Sequence, residues 1–479
     1  MKPPPDSQPS VGADDSPQLP GPSKPNAHDA VLERGLGLKE AVALNMIDMI
    51  GIGPFVVSSL VIRAMGGPQA LLAWTAGAVL ALLDGFVWSE LGAALPRAGG
   101  SYVFLREAYG PNRWGRLMSF LIVWQTLIQA PLVIASGAIG FSQYASYLHP
   151  FSIYQQKAIS GAVVVLLVIL LYRRIATIGK ISVLLWIGVI GTMLWLIGGG
   201  ITHFNAALAF SFPPGAFHLS HLFFAGLGAA MVSTTYTYWG YYNICQLGGE
   251  LRNPEKNIPR GIFISIAGIA VLYLAMQVSI LGVVPWQKAQ YSPFLVSTFV
   301  ETISGPFAAR VATLLVLWVA FASIFAALLG YSRIPYAAAL DGNFFSIFAR
   351  VHPQKKFPHI SLLFLGAVSF ISSLLFKLST VIAAILATRL LVQFIGQAVG
   401  IIILHRRWPA ERFPFKMWLY PVPAVLTMCG WAALFWATGA ARKWGLLVIA
   451  LGVVAFLLRA REVRQWPFAA VTPSHPEGA

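Results

Sequence analysis

Residues 50–55 read IGIGPF and residues 237–243 read TYWGYYN, each in the middle of a long apolar stretch. The first places two glycines and a proline inside what is otherwise a membrane-length helix. Glycine weakens a helix, and Pro54 lacks a backbone donor and crowds the preceding turn. The second isolates Gly240 among aromatic residues. Backbone that unwinds at membrane depth persists only where protein buries it or where it lines a cavity. Because glycine and proline also serve as packing notches in membrane helices, one break alone decides little. The two breaks together say more. They lie five helices apart, the spacing of an inverted five-plus-five repeat that holds its ligand between the broken members.

The rest of the chain agrees with lipid as its solvent. Of 479 residues, 57% are hydrophobic and 10% are charged, against roughly 25% charged in an ordinary soluble domain. A helix needs about 20 apolar residues to cross the hydrocarbon. That ruler predicts helices near 40–63, 68–95, 116–147, 157–172, 178–202, 221–247, 260–284, 309–339, 360–376, 379–404, 416–438 and 443–459. The fold class is therefore an all-α polytopic membrane protein of about twelve helices, with helices one and six broken. The domain reading is a disordered tail over 1–37 and a transporter core over 38–404, made of repeats 38–203 and 221–404. Two further helices follow over 405–460, then a tail over 461–479.

The net charge of +16 is unevenly spread. Basic clusters at Arg97–Arg116, Arg173–Lys180, Arg252–Arg260, Arg350–Lys356, Arg406–Lys416 and Arg459–Arg464 alternate with poorer loops. Those loops hold only Arg63, Lys157, Lys288, Arg310, Lys377 and the Arg442–Lys443 pair. This bias follows the positive-inside rule and predicts cytoplasmic termini in a cell membrane. It explains the charge without a nucleic-acid partner. Cys245 and Cys429 show no metal spacing, and His203, His218 and His221 form no zinc motif. No metal or cofactor is expected.

Three further stretches carry a resemblance. Trp88–Gly110 reads WSELGAALPRAGGSYVFLREAYG, Gly248–Ile262 reads GGELRNPEKNIPRGI, and Tyr331–Phe345 reads YSRIPYAAALDGNFF. With IGIGPF they resemble, in order, the signature blocks of the amino acid–polyamine–organocation superfamily. The resemblance implies the inverted-repeat transporter fold, alternating access and a small amine-containing substrate. It also implies that Gly51, Ile52 and Gly53 offer amides to a substrate carboxylate. Tyr238, Trp239 and Gly240 would offer carbonyls and side chains to the amine and the substrate body. Helix dipoles point the same way, since half-helix N-termini attract anions and C-termini attract cations. Two departures stand out. Gly249 replaces a frequent acidic residue, and helix five has Lys180 only at its end. The YRRIATIG opening of that helix, at 172–179, looks more like the polyamine-uptake branch, so both the substrate, amino acid or polyamine, and the coupling ion remain open, with an uncoupled amino-acid exchanger as an alternative.

Charged residues inside the bilayer cost at least about 2.5–3.5 kcal/mol at the centre of a helix, so each needs a reason. Asp48, one turn before the first break, is the leading proton carrier, and Asp84 the reserve. Glu90 reads as structural. Arg389 has three readings: a structural ion pair with Asp84, which is favoured, a contact for a substrate carboxylate, or neutralisation of an acid for insertion. Glu250, Arg252 and Arg260 form the expected inner gate, with Glu255 and Lys256 beside them. A membrane enzyme would need a convergent nucleophile–base or metal set, and a channel a repeated pore lining. Neither pattern is present. A sensor with a transporter fold is the remaining non-transporter alternative.

Overall fold

The computed structural model describes residues 32–376, 388–462 and 466–468. The expected tail up to residue 31, the start of the tenth helix over 377–387 and most of the C-terminal tail lie outside these residues. The described chain is almost wholly helical. The first span is a pair, α1 (Leu38–Met49) and α2 (Gly53–Met65), bent by 45°. Next come α3 (Leu71–Ala94), a short α4 (Ser101–Ala108), α5 (Gly115–Ala145), α6 (Ile153–Leu171) and α7 (Ile175–Thr202). The sixth span is α8 (His221–Tyr238) with a one-turn α9 (Asn243–Gln246). It leads to α10 (Pro254–Leu281), α11 (Leu295–Tyr331) and α12 (Arg333–Leu340). The last spans are α13 (His359–Leu375), a tenth whose described end is α14 (Gly396–Arg407), α15 (Val422–Ala437) and α16 (Ala441–Glu462).

Eight helices are long and apolar enough to cross a membrane, and the α1–α2 pair makes a ninth. The broken sixth span and the shorter apolar α13 and α15 bring the number to twelve among the described residues. This is an all-α integral membrane protein. Several predicted boundaries move, and two of the differences have a clear local cause. The fourth helix starts at Ile153, because Ser152 and Gln155 form a reciprocal cap (Ser152 Oγ accepts from the Gln155 amide at 3.4 Å). The eighth is preceded by a separate helical segment from Leu295, because Gly305 at φ 80° breaks the helix just before Pro306.

The breaks meet each other. Trp239 is extended, Gly240 has φ +122°, and a Cβ on Gly240 would lie 2.7 Å from the Met49 nitrogen. Only glycine allows this approach, which sets the sixth span directly against the end of α1. At one end of the bundle the signature blocks are laced together by backbone. Leu36 bridges Leu251, and Ala98 bridges Leu247. Gly99 (φ 97°) sits where a Cβ would be 2.5 Å from the Ala337 side chain.

Gly240→Ala should therefore destabilise the protein by at least about 1–3 kcal/mol through strain and the clash with α1. Gly191→Ala, on an open face of α7 with no atom within 4 Å of the new Cβ, should leave the melting temperature unchanged or raise it. Equal melting temperatures for the two variants in detergent would contradict the close approach of the breaks.

Candidate functional site

A cavity of about 60 Å³ lies between the two breaks, with Asp48, Gly51, Ile52, Gly53, Trp239, Gly240 and Arg389 on its wall. Its first wall is the end of α1 and the start of α2. Pro54 occupies the first turn of α2, where a missing donor costs nothing. The Gly51 amide bonds back to the Met49 carbonyl at 3.0 Å. Ile52 and Gly53 are the N-cap and first residue of α2, and among the described residues neither amide has an acceptor. Of the three amides expected to face a carboxylate, two are available and Gly51 is occupied. They stand at the positive end of a 13-residue helix, a ready anion site.

The second wall comes from the sixth span. Trp239 stacks on Phe394 with centroids 5.3 Å apart, and its indole N–H has no acceptor among the described residues. Tyr238 is turned away. Its ring packs against Tyr273 and Trp74, with centroids 5.2 and 6.4 Å apart, and it is absent from the cavity wall. Tyr238 thus stands off the cavity that Tyr236, Thr237 and Trp239 line, because its ring is packed between helices, and the side-chain contact expected from it is corrected. The Gly240 carbonyl accepts from the Asn243 amide at 2.9 Å, so it is already engaged locally.

The carbonyls at the broken ends are held by residues with little to mark them in the sequence. The Tyr273 hydroxyl, from α10, lies 2.7 Å from the Met49 carbonyl and 3.1 Å from that of Thr237. One side chain thereby ties the C-terminal ends of both half-helices. Ser323 reaches the Asp48 carbonyl at 3.3 Å, and Asn45 accepts from the Ile244 amide at 3.0 Å. Asn45 and Asn243 carry a sequence signal, as lone amides in apolar helices. Tyr273 carries none.

The buried charges sort into separate places. Asp84 is 1% exposed and takes hydrogen bonds from the Tyr241 hydroxyl and from the Trp431 indole at 3.2 Å. It anchors the break from behind, is absent from the cavity wall and makes no ion pair with Arg389. The favoured Asp84–Arg389 pair is therefore corrected. Arg389 is instead on the cavity wall, 1% exposed, beneath the rings of Trp239 and Tyr242 at 4.8 and 5.2 Å. Its Nε donates to Gln393 at 2.9 Å, and Nη2 has no acceptor among the described residues. A wide π-helical turn, Leu390–Ile395, starts beside it, a feature common at functional sites. Asp48 shares the wall, beside the Asn243 amide and within reach of the Arg389 charge, yet no salt bridge joins the two.

Glu250 is fully buried, but its partner is neither Arg252 nor Arg260. Arg333, also buried, grips it with two bonds of 2.9 and 2.8 Å. Arg252 reaches the Arg34 carbonyl at 3.2 Å, and Arg260 is exposed. The loop is pinned inward at Glu250 by Leu36, whose amide donates to the Glu250 carbonyl and whose carbonyl accepts from the Arg252 amide. Glu90 pairs with His405 at 2.9 Å.

A small polar cavity between two interrupted membrane helices is the arrangement a substrate carrier uses. The model of the amino acid permease family matches residues 36–457, and the chain belongs to that family. It is 26% identical over 419 residues to the serine/threonine exchanger of Bacillus subtilis, covering 85% of this chain and 91% of that one. It is similarly 26% identical over 420 residues to the human cystine/glutamate transporter (86% and 81%). Over 370 residues it is 28% identical to the aspartate–proton symporter of Bacillus subtilis (71% and 68%). The resemblance read from the signature blocks is the family found here, and the protein is an amino acid permease.

Trp239→Ala should weaken substrate binding by at least about 1 kcal/mol, while Tyr238→Phe should leave it unchanged. Titration of the purified variants with a transported amino acid tests this contrast. Equal losses from both would show that the aromatic cluster acts only through packing.

Proposed function

We propose that this permease carries a small amino acid by alternating access and couples it to protons through Asp48. The observation that supports the reading best is that Asp48 and Arg389 line one small cavity without bridging each other. The substrate carboxylate meets the Ile52 and Gly53 amides and the open edge of Arg389, and the ammonium meets the aromatic faces. A cavity of about 60 Å³ has room for only a few waters, which favours a compact solute.

Charge balance supplies the coupling. With Asp48 ionised, its charge and that of Arg389 offset each other. Protonating Asp48 leaves Arg389 alone in a low-dielectric wall, where an uncompensated charge is costly. A substrate carboxylate restores the balance. Proton and carboxylate therefore favour each other's binding, the reciprocity required of linked sites. Asp84, held by two donors away from the cavity, is the weaker carrier candidate. The repeats 38–203 and 221–404 are the moving units. The Glu250–Arg333 pair is the latch on the basic, cytoplasmic side, replacing the gate expected from Arg252 and Arg260. The positive-inside bias favours both termini in the cytoplasm. A polyamine fits less well, because it would bring further positive charge against Arg389. Relatives that exchange serine and threonine or carry aspartate with protons agree with an amino acid substrate.

In proteoliposomes, Asp48→Asn should abolish accumulation driven by a pH gradient yet keep exchange. Arg389→Gln should weaken binding by at least about tenfold, the scale of one lost charged hydrogen bond. Sodium-dependent uptake that ignores pH would rule out the proton reading. Asp48→Asn losing exchange together with accumulation would make Asp48 an amine ligand instead.

A further inference from the structure

The tenth span carries a buried polar stripe that continues past the cavity wall. Arg389, Gln393 and Gln397 lie four residues apart, so they share one face of the helix. Each is at most 5% exposed, and so is Ser101 at the start of α4. Polar groups buried this deep are costly unless they bond, and these four bond to one another. Arg389 Nε donates to Gln393 Oε1 at 2.9 Å, and Gln393 Nε2 donates to Ser101 Oγ at 3.1 Å. Gln397 Nε2 reaches the same Oγ at 3.1 Å and the Gln393 carbonyl at 2.7 Å.

The chain of bonds has a fixed direction. A guanidinium only donates, so Gln393 must turn its amide oxygen to Arg389 and its NH2 to Ser101. Ser101 in turn adjoins the segment sewn to the loop after α9. Gly99 donates its amide to the Gln246 carbonyl at 3.0 Å, and Ala98 bridges Leu247. A Cβ on Gly100 would meet the Gln246 side chain at 2.8 Å. Two side-chain bonds therefore connect an arginine of the cavity wall to this seam.

We propose that Gln393 and Ser101 are positioning residues that tie the Arg389 guanidinium to the seam. The inference rests on the reading in which Arg389 meets the substrate carboxylate. With the site empty, Gln393 holds both the guanidinium and Ser101, and the seam stays closed. A carboxylate draws the guanidinium away, since a bond between two charged groups is stronger than one to a neutral amide. Gln393 Oε1 then loses its donor, the amide is free to turn, and Ser101 loses a bond that keeps α4 in place. Substrate thereby favours the parting of the seam, and an open seam favours substrate by the same factor.

Cys245 reports on the seam directly. It is 1% exposed and adjoins Gln246, and in a C429S background it is the one cysteine of the chain. The test is its rate of reaction with N-ethylmaleimide in the full-length protein held in nanodiscs. The probe is the proteinogenic amino acid that raises the parent's melting temperature most. It should speed labelling by at least about fivefold, the lower end of typical coupling. S101A should label fast with or without the amino acid and bind it at least as tightly as the parent. A merely damaged fold would bind it more weakly. Q393L should lose the response in the same way. Q397L, which removes the second donor to Ser101 without touching the link to Arg389, should respond as the parent does. Should S101A fold poorly, Q393L carries the same comparison. Slow, parent-like labelling of S101A without amino acid, or an equal loss of response in Q397L, would overturn the proposal. R389Q that binds and responds as the parent does would instead overturn the carboxylate reading. The rate of S101A without amino acid would still decide for or against the link.

Discussion

The structure depends on one constraint: backbone groups freed inside an apolar bundle must find partners. Interrupting two helices at membrane depth strands amides and carbonyls where water is scarce, and an unmet polar group there costs several kcal/mol. The molecule answers locally. Tyr273 spans the Met49 and Thr237 carbonyls, Ser323 covers that of Asp48, and Asn45 accepts from Ile244. At the first break the Ile52 and Gly53 amides find no acceptor among the described residues, and they open onto the cavity. On the proposed reading, what the scaffold leaves unmet is the part of the site left for a ligand.

Charge follows the same logic. Each buried ionisable group has a distinct setting, and the setting divides the roles. Asp84 is enclosed by Tyr241 and Trp431 and holds the sixth span in place. Glu250 and Arg333 satisfy one another in a bidentate pair, and removing one partner of such a pair is far worse than removing both. Asp48 and Arg389 face a shared space without closing on each other.

The signature blocks also gain a physical reading. Gly99 and the bridge between Ala98 and Leu247 let the loop after α3 lie against the loop after α9. Leu36 and Leu251 add the start of α1 to the same seam. Three of the stretches that carried the family resemblance thus join elements from both halves of the chain.

By itself the sequence determined the medium, the number of spans, the two breaks and the family. Each of these rests on local chemistry: apolar length, glycine and proline in a helix, and residues adjacent in the chain. It also marked Asp48, Trp239 and the amides near Gly53, because they border the break directly. Only the tertiary structure decided that Tyr238 faces away, that Arg389 belongs to the cavity, and that Glu250 pairs with Arg333. Which face of a span meets which neighbour depends on helix rotation and packing across hundreds of residues. Periodicity is nearly silent there, since lipid-facing and core-facing positions are alike apolar. Tyr273 is the plainest case: an ordinary tyrosine in an apolar helix, made essential by the two carbonyls that the fold brings to its hydroxyl.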